Sequence, residues 1–168
     1  YFIKSFKKNI EVFDTPSYFK DINKYHQIIH ETDLANNFSE YYKKNKKKLS
    51  NYMQKAIANG NKYSAKDYAE AIDFIKRSYE SYKEVFEDYH GVLSPSSPGI
   101  APKGLKSTGT AEFNKFWSFM GTPCISLPLL QGENNLPLGV QLIGDKYDDQ
   151  RFLGIARWLE QKSKDYNE

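Results

Sequence analysis

Residues 113–129 read F-N-K-F-W-S-F-M-G-T-P-C-I-S-L-P-L, and residues 136–144 read L-P-L-G-V-Q-L-I-G. Phe113, Phe116, Trp117 and Met120 recur at i, i+3, i+4 and i+7, the signature of one helical face. Thr110 is placed to cap that helix, Gly121 to close it and Pro123 to stop it. Residues 124–127 and 138–143 read as strands. The link between them, 128–137, has no helical pattern. A parallel crossover needs about a dozen residues or more, usually with a helix, so this pair should form an antiparallel hairpin. The second strand is apolar on both faces except at Gln141, so both faces should be covered. A buried carboxamide must find partners, and loop backbone is the expected source.

Working outward, residues 92–93 read as a short buried strand, and 94–109 as a loop rich in Pro, Ser and Gly. Upstream, Tyr68, Ile72, Ile75, Tyr79, Tyr82, Phe86 and Tyr89 alternate at spacings of 4 and 3, a helical stripe opened by Ser64 as N-cap and ended by Gly91. Residues 49–58 read as a short helix stopped by Asn59-Gly60 in a left-handed turn. The lysine-rich run 43–48 reads as a solvated joint. Before it, a helix should start at Asp14-Thr15-Pro16 and run to about Tyr42, with Tyr18, Ile22, Tyr25, Ile29 and Phe38 inward. Residues 10–13 read as a strand. Downstream, Asp148 should cap a last helix that turns Phe152, Leu153, Ala156 and Leu159 inward and leads to a polar tail from Lys162.

The 168 residues suffice for one domain with a core, and 39% apolar with 15% aromatic content excludes a disordered composition. No apolar run approaches the ~18 residues of a membrane span, so no membrane association is expected. A net charge of +3 is too mild to call for nucleic acid. Cys124 is the single cysteine, so no internal disulfide forms and a reducing, cytoplasmic setting is the default. The opening Tyr1-Phe2-Ile3-Lys4 has neither an initiator Met nor a signal-peptide layout, and a partial chain is expected.

Several segments follow one another in a recognisable order. They are D-x-x-x-V-L-S-P-S-S-P-G from Asp88, the loop Ala101 to Gly109, F-N-x-x-W at Phe113, Asn114 and Trp117, G-x-P-x-I-S-L-P, G-V-Q-L-I-G and D-D-x-x-x-L-x-x-A-x-x-L-E. Each is weak alone; the ordered set resembles the C-terminal part of an amidase-signature enzyme. The resemblance implies an α/β class, the C-terminal part of an α/β/α amidase-type fold, with few mixed strands, including the hairpin, flanked by helices. It implies one partial domain over 1–168, mainly helical over 1–91 and strand-loop-helix over 92–161. It further implies a parent amidase that hydrolyses a linear amide to a carboxylic acid and ammonia or an amine. In that family one serine attacks, a cis-peptide serine relays a proton and a lysine acts as base. The glycine- and serine-rich stretch that would carry them is not found here, so no catalytic residue is assigned and the chain alone is expected to be inactive.

Ser94, Ser96 and Ser97 do not substitute for that stretch, because the prolines of S-P-S-S-P-G lack the N–H groups an oxyanion needs. Asn114, Trp117 and Phe113 are the candidate substrate-binding residues: an amide for hydrogen bonding and an apolar wall, against the plainer reading of a core stripe. Some relatives that use glutamine carry an acidic residue near this helix start, where Ala111 stands here with Glu112 adjacent. His26 and His30 share a helical face, but Gln27 replaces the glutamate a zinc protease needs, so no metal and no cofactor is expected. The expected partners are a small-molecule amide, the upstream half of the same enzyme and a possible second copy of the chain in a homodimer. Two alternatives compete: a helical interaction module built on the 68–89 stripe, and a subunit of a glutamine-dependent tRNA amidotransferase.

Overall fold

A computed structural model describes residues 9–14 and 20–165. The chain divides into two compact units, Ser17–Tyr79 and Tyr1–Pro16 with Glu80–Glu168. The expected helix start at Thr15-Pro16, and Tyr18 with it, lie outside the described residues.

The first unit is helical. Helix α1 (Ile22–Asn37) buries Ile22, Ile28, Glu31 and Ala35. The single helix expected to reach Tyr42 breaks at Phe38 (φ −104°, ψ 10°) and resumes as α2 (Ser39–Asn45). Asn36, Asn37 and Ser39 flank the break, residues whose side chains compete for backbone hydrogen bonds and favour helix ends. The lysine run closes α2 and forms a 3-10 turn, Lys46–Lys48, with its charges in water. Helix α3 (Asn51–Gly60) starts where the Ser50 hydroxyl accepts from Met53 N at 3.3 Å.

Gly60 corrects a sequence expectation. It lies inside α3 and is not a left-handed stop; Asn61 takes the C-cap position with φ −70°. A Cβ on Gly60 would lie 2.0 Å from the Glu31 carbonyl oxygen and 2.8 Å from Ala35 Cβ. The glycine is there because α1 passes too close for any side chain. At the same crossing the buried Glu31 carboxylate accepts from Gln27 Nε2 (3.2 Å), Asn59 Nδ2 (3.2 Å) and the Tyr63 hydroxyl (2.9 Å).

Helix α4 (Ala65–Asp88) opens with a reciprocal cap. Ser64 Oγ accepts from Asp67 N at 3.1 Å, while the Asp67 carboxylate accepts from Ser64 N at 2.8 Å and Ser64 Oγ at 2.6 Å. Those bonds hold the Asp67 carboxyl below the usual carboxylate range. The buried seam of α4 is Ala71, Phe74, Ser78, Tyr82 and Phe86; Ile72, Ile75 and Tyr79, expected at its centre, are only half-buried, and Tyr89 is exposed. Within the first unit Phe74 stacks on Tyr25, with ring centroids 4.4 Å apart.

The second unit holds a three-stranded sheet in the order β1-β3-β2, with β1 Val92–Pro95, β2 Cys124–Gln131 and β3 Pro137–Ile143. Both pairings are antiparallel, as expected for the hairpin. Strand β2 runs four residues further than the sequence suggested, through an irregularity between Leu127 and Leu130. The turn that follows places Asn134 and Asn135 at positive φ (57° and 58°), a conformation asparagine tolerates better than most residues. Residues 10–13 form no strand: Val12 is 79% exposed and no described strand pairs with them. A short apolar run without a partner has nowhere to place its backbone donors except water.

One sheet face is apolar. Leu127 and Leu142 pack with Phe152, Ala156 and Leu159 of helix α6 (Asp149–Asp165). Leu153, expected inward, is 56% exposed; it stands one residue, about 100° of helix rotation, from Phe152. Helix α5 (Glu112–Met120) has Ala111, not Thr110, at its N-cap, with no side-chain cap bond. Its C-terminus is as expected: Gly121 is left-handed (φ 72°), and its N–H donates to Trp117 O at 3.0 Å.

Candidate functional site

Strand alternation puts Ser94 and Ser96, Gly139 and Gln141, and Ser126 on the sheet face opposite α6, in the registers Ser94↔Gln141 and Ser126↔Gln141. The backbone of Ser96 continues that pattern past β1, with its N–H donating to Gly139 O at 3.0 Å. The result is a polar patch on a face that is itself buried at its other end, where Val92 and Ile143 lie.

Gln141 anchors it. Only 3% exposed, its Nε2 lies 2.7 Å from Phe113 O, 3.1 Å from Pro95 O and 3.2 Å from Ser94 Oγ. The carboxamide therefore ties the start of α5 to β1 through backbone oxygens, the partners the sequence led us to expect. Beside it, the hydroxyls of Ser96 and Ser126 meet at 2.7 Å. Gly139 makes room for them: a Cβ there would lie 2.5 Å from Ser126 Oγ and 2.7 Å from Ser96 Oγ. Here the glycine serves space, not a special φ.

The three sequence candidates separate in the fold. Asn114 is exposed at the start of α5 and donates through Nδ2 to Ser96 O at 3.2 Å. Phe113 is half-buried, and its carbonyl is the Gln141 acceptor. Trp117 is 6% exposed and sits in an aromatic cluster with Phe116 (4.5 Å between centroids) and Tyr82 (5.4 Å). Asn114 thus joins the polar face, while Trp117 belongs to the packing behind it. Ser126 is the member that sequence reasoning missed. Alternation in C-I-S-L does place it on one face with Cys124, but only the cross-strand register brings it to Ser96.

Chemically, the cluster is a set of neutral donors and acceptors. Among the described residues neither serine hydroxyl is hydrogen-bonded to a lysine, a histidine or a carboxylate, so no base stands ready to take a proton and neither is an activated nucleophile. Partial burial pushes the Cys124 thiol up from its ordinary value, which keeps it protonated at neutral pH and unsuited to attack. Its weak bond to Thr122 O (3.6 Å) does not offset that. Among the described residues no group of three or more His, Cys, Asp or Glu is arranged to hold a metal ion. His26 and His30 lie ring on ring at 5.8 Å, with His30 Nε2 3.4 Å from the Tyr52 hydroxyl. An open depression of about 490 Å3 lies at the far end of α5, beside Gly121, Thr122, Lys146 and Tyr147, and shares no residue with the polar face.

Among the described residues no helix is long and apolar enough to cross a membrane. A model of the amidase family matches residues 3–153. A glutamyl-tRNA(Gln) amidotransferase subunit from Alkaliphilus metalliredigens is 34% identical over 106 residues, covering 56% of this chain and 21% of that protein. A fatty acid amide hydrolase of Arabidopsis thaliana is 28% identical over 126 residues, covering 68% of this chain and 21% of that one. The crystal structure of an amidase superposes with a TM-score of 0.77 at 20% identity, over 95% of this chain and 41% of the other, which shows a shared fold. The chain spans about a fifth of the length of the curated relatives it matches.

Proposed function

The chain belongs to the amidase-signature family, and from that premise we propose that it forms the C-terminal, substrate-side part of an enzyme that hydrolyses a linear amide to a carboxylic acid and ammonia or an amine. The nucleophilic serine, the relaying cis-peptide serine and the lysine base come from sequence upstream of residue 1. One observation carries this reading. The chain presents a pair of hydroxyls, Ser96 and Ser126, bonded to each other and, among the described residues, to no base. Such a pair can orient a substrate but cannot attack it. Asn114 supplies a further polar contact at the same face, Trp117 packs on Phe116 behind it, and the Phe113 carbonyl accepts from Gln141. No cofactor takes part.

The test is direct. The isolated 168 residues should show no turnover of a neutral linear amide. Combined with the upstream segment, as one chain or two, they should support it. Turnover by the isolated chain, lost on replacing one of its own serines, would sink the proposal.

A second reading, a subunit of a glutamine-dependent tRNA amidotransferase, is favoured by the name of the 34% identical relative. Ala111 at the N-cap of α5 weighs against it, because it offers no carboxylate to an α-amino group, although Glu112 stands next to it in the first turn. Glutaminase activity exceeding that on a simple neutral amide would select this alternative. Two contacts weigh against the helical-module reading. Phe74 of the α4 seam is stacked on Tyr25, and Tyr82 packs edge-on to Phe116 and Trp117.

A further inference from the structure

We propose that His26 and His30 form a two-point chelate for a divalent transition ion of the Zn(II), Ni(II) and Cu(II) class, on the surface of the helical unit. The site takes no part in the amide chemistry proposed above, and neither proposal depends on the other.

The two histidines lie four residues apart on α1, so their side chains share one face, one turn apart. Their rings are nearly parallel, with 18° between planes, and their centroids are 5.8 Å apart. Two imidazoles that share one ion at the usual nitrogen–metal distance of ~2 Å have centroids roughly 5 Å apart. The remaining difference, about 1 Å, is within reach of a small side-chain rotation. His30 is exposed and His26 half-buried, so an ion reaches the pair from water. Each ring has two nitrogens, and one can hold the ion while the other keeps a hydrogen-bond partner that fixes the ring. His30 has such a partner: its Nε2 lies 3.4 Å from the Tyr52 hydroxyl. Tyr52 belongs to α3, so the chelate on α1 is steadied from the neighbouring helix of the same unit.

The adjacent Glu31 is not a third ligand. Its carboxylate is buried and accepts from Gln27, Asn59 and Tyr63. Among the described residues no third His, Cys, Asp or Glu joins the pair. The site is accordingly open, with two protein nitrogens and water in the other positions. Neutral nitrogen donors select the ion. Imidazole suits zinc, nickel and copper, whereas Mg(II) and Ca(II) require oxygen ligands. Gln27 stands where a zinc protease has its glutamate, and its amide donates to Glu31. That substitution bears on hydrolysis, which needs a general base, and not on binding, which needs only the pair. A bound ion closes one turn of α1 next to its crossing with α3. An ion that binds the folded helix and not the open chain adds to stability by mass action.

The test titrates the full 168-residue chain with Zn(II) and Ni(II) by calorimetry at about pH 7.5, with Mg(II) as the control. Zn(II) and Ni(II) should each fill one saturable site. His26→Ala or His30→Ala should weaken both at least roughly tenfold, as when a bidentate ligand becomes monodentate. His90→Ala, which removes the third histidine of the chain, should leave the affinity unchanged. Saturating Zn(II) should raise the urea midpoint of the wild-type chain and not that of His30→Ala. His30 is exposed, so its variant decides if His26→Ala misfolds. Ni(II) binding as tight in His30→Ala as in the wild-type chain, or Mg(II) binding as tightly as Ni(II), overturns the proposal.

Discussion

In the unit Ser17–Tyr79 the Glu31 carboxylate is 7% exposed and receives hydrogen bonds from Gln27, Asn59 and Tyr63. In the unit that holds the sheet, Asn114 and Ser126 are exposed, and one hydroxyl proton of the serine pair has no acceptor among the described residues. Around Glu31 the helical unit directs its polar groups to its own cohesion, although the buried hydroxyls of Thr32 and Ser78 have no hydrogen-bond partner among the described residues. The sheet unit leaves donors and acceptors unengaged at its exposed Asn114 and Ser126. Unfilled hydrogen-bonding capacity on a rigid strand is poor for stability and useful for recognition, because the groups are oriented before a ligand arrives.

The sharpest way to break this contrast is Gly60→Ala. Its Cβ would meet the Glu31 carbonyl, a backbone atom that cannot swing away. The expected loss is about 3 kcal/mol of stability in the helical unit, read as a lower urea midpoint by circular dichroism. Glu31→Ala strips Gln27, Asn59 and Tyr63 of their shared acceptor and should cost about 2 kcal/mol in the same assay. The Tyr63 hydroxyl, whose pKa is raised first by burial and then by its bond to Glu31, should ionise at lower pH in that variant, which ultraviolet titration can follow.

Ser64→Ala removes one half of the α4 cap and should cost about 1 kcal/mol. It carries a pH signature. Asp67 is held below the ordinary carboxylate range by its bonds from Ser64. A depressed folded-state pKa adds stability above the unfolded value, lost as the pH falls from about 4 through the folded value. That acid-side loss should shrink in the variant. At the small end, Ser126→Ala should change stability by less than about 0.5 kcal/mol, as for an exposed position without a structural task. A large loss there would erase the distinction between the two units.

Much of this architecture could be read from local chemistry. The Ser64 cap, the left-handed Gly121, the antiparallel hairpin and the backbone partners of Gln141 each follow from a few adjacent residues and a turn or strand rule. What escaped depends on distant neighbours. Residues 10–13 have strand composition, but pairing is a property of two segments. The first half of the α4 seam is shifted by one residue because Ala71 and Ser78 are small, and a pattern search weights the larger Ile and Tyr beside them. Gly60 looked like a helix stop because glycine serves both roles; only the passage of α1 decides between them. In the site, Asn114 was legible through family resemblance. The Ser96–Ser126 pair was not, since their hydroxyls meet across thirty positions of sequence.

Gly60 has one more effect, which concerns ageing. By requiring glycine after Asn59, the helix crossing writes an Asn-Gly dipeptide into the chain, the pairing most prone to cyclise to a succinimide and open to isoaspartate. In the fold the Asn59 carboxamide is held to Glu31 and the backbone is helical, which blocks the ring closure. Each thermal opening of that helix exposes the dipeptide. A molecule that deamidates then carries a new carboxylate facing Glu31, and the two anions repel where a hydrogen bond once closed the crossing. Fraying of α3 is therefore the step that would open this dipeptide to deamidation.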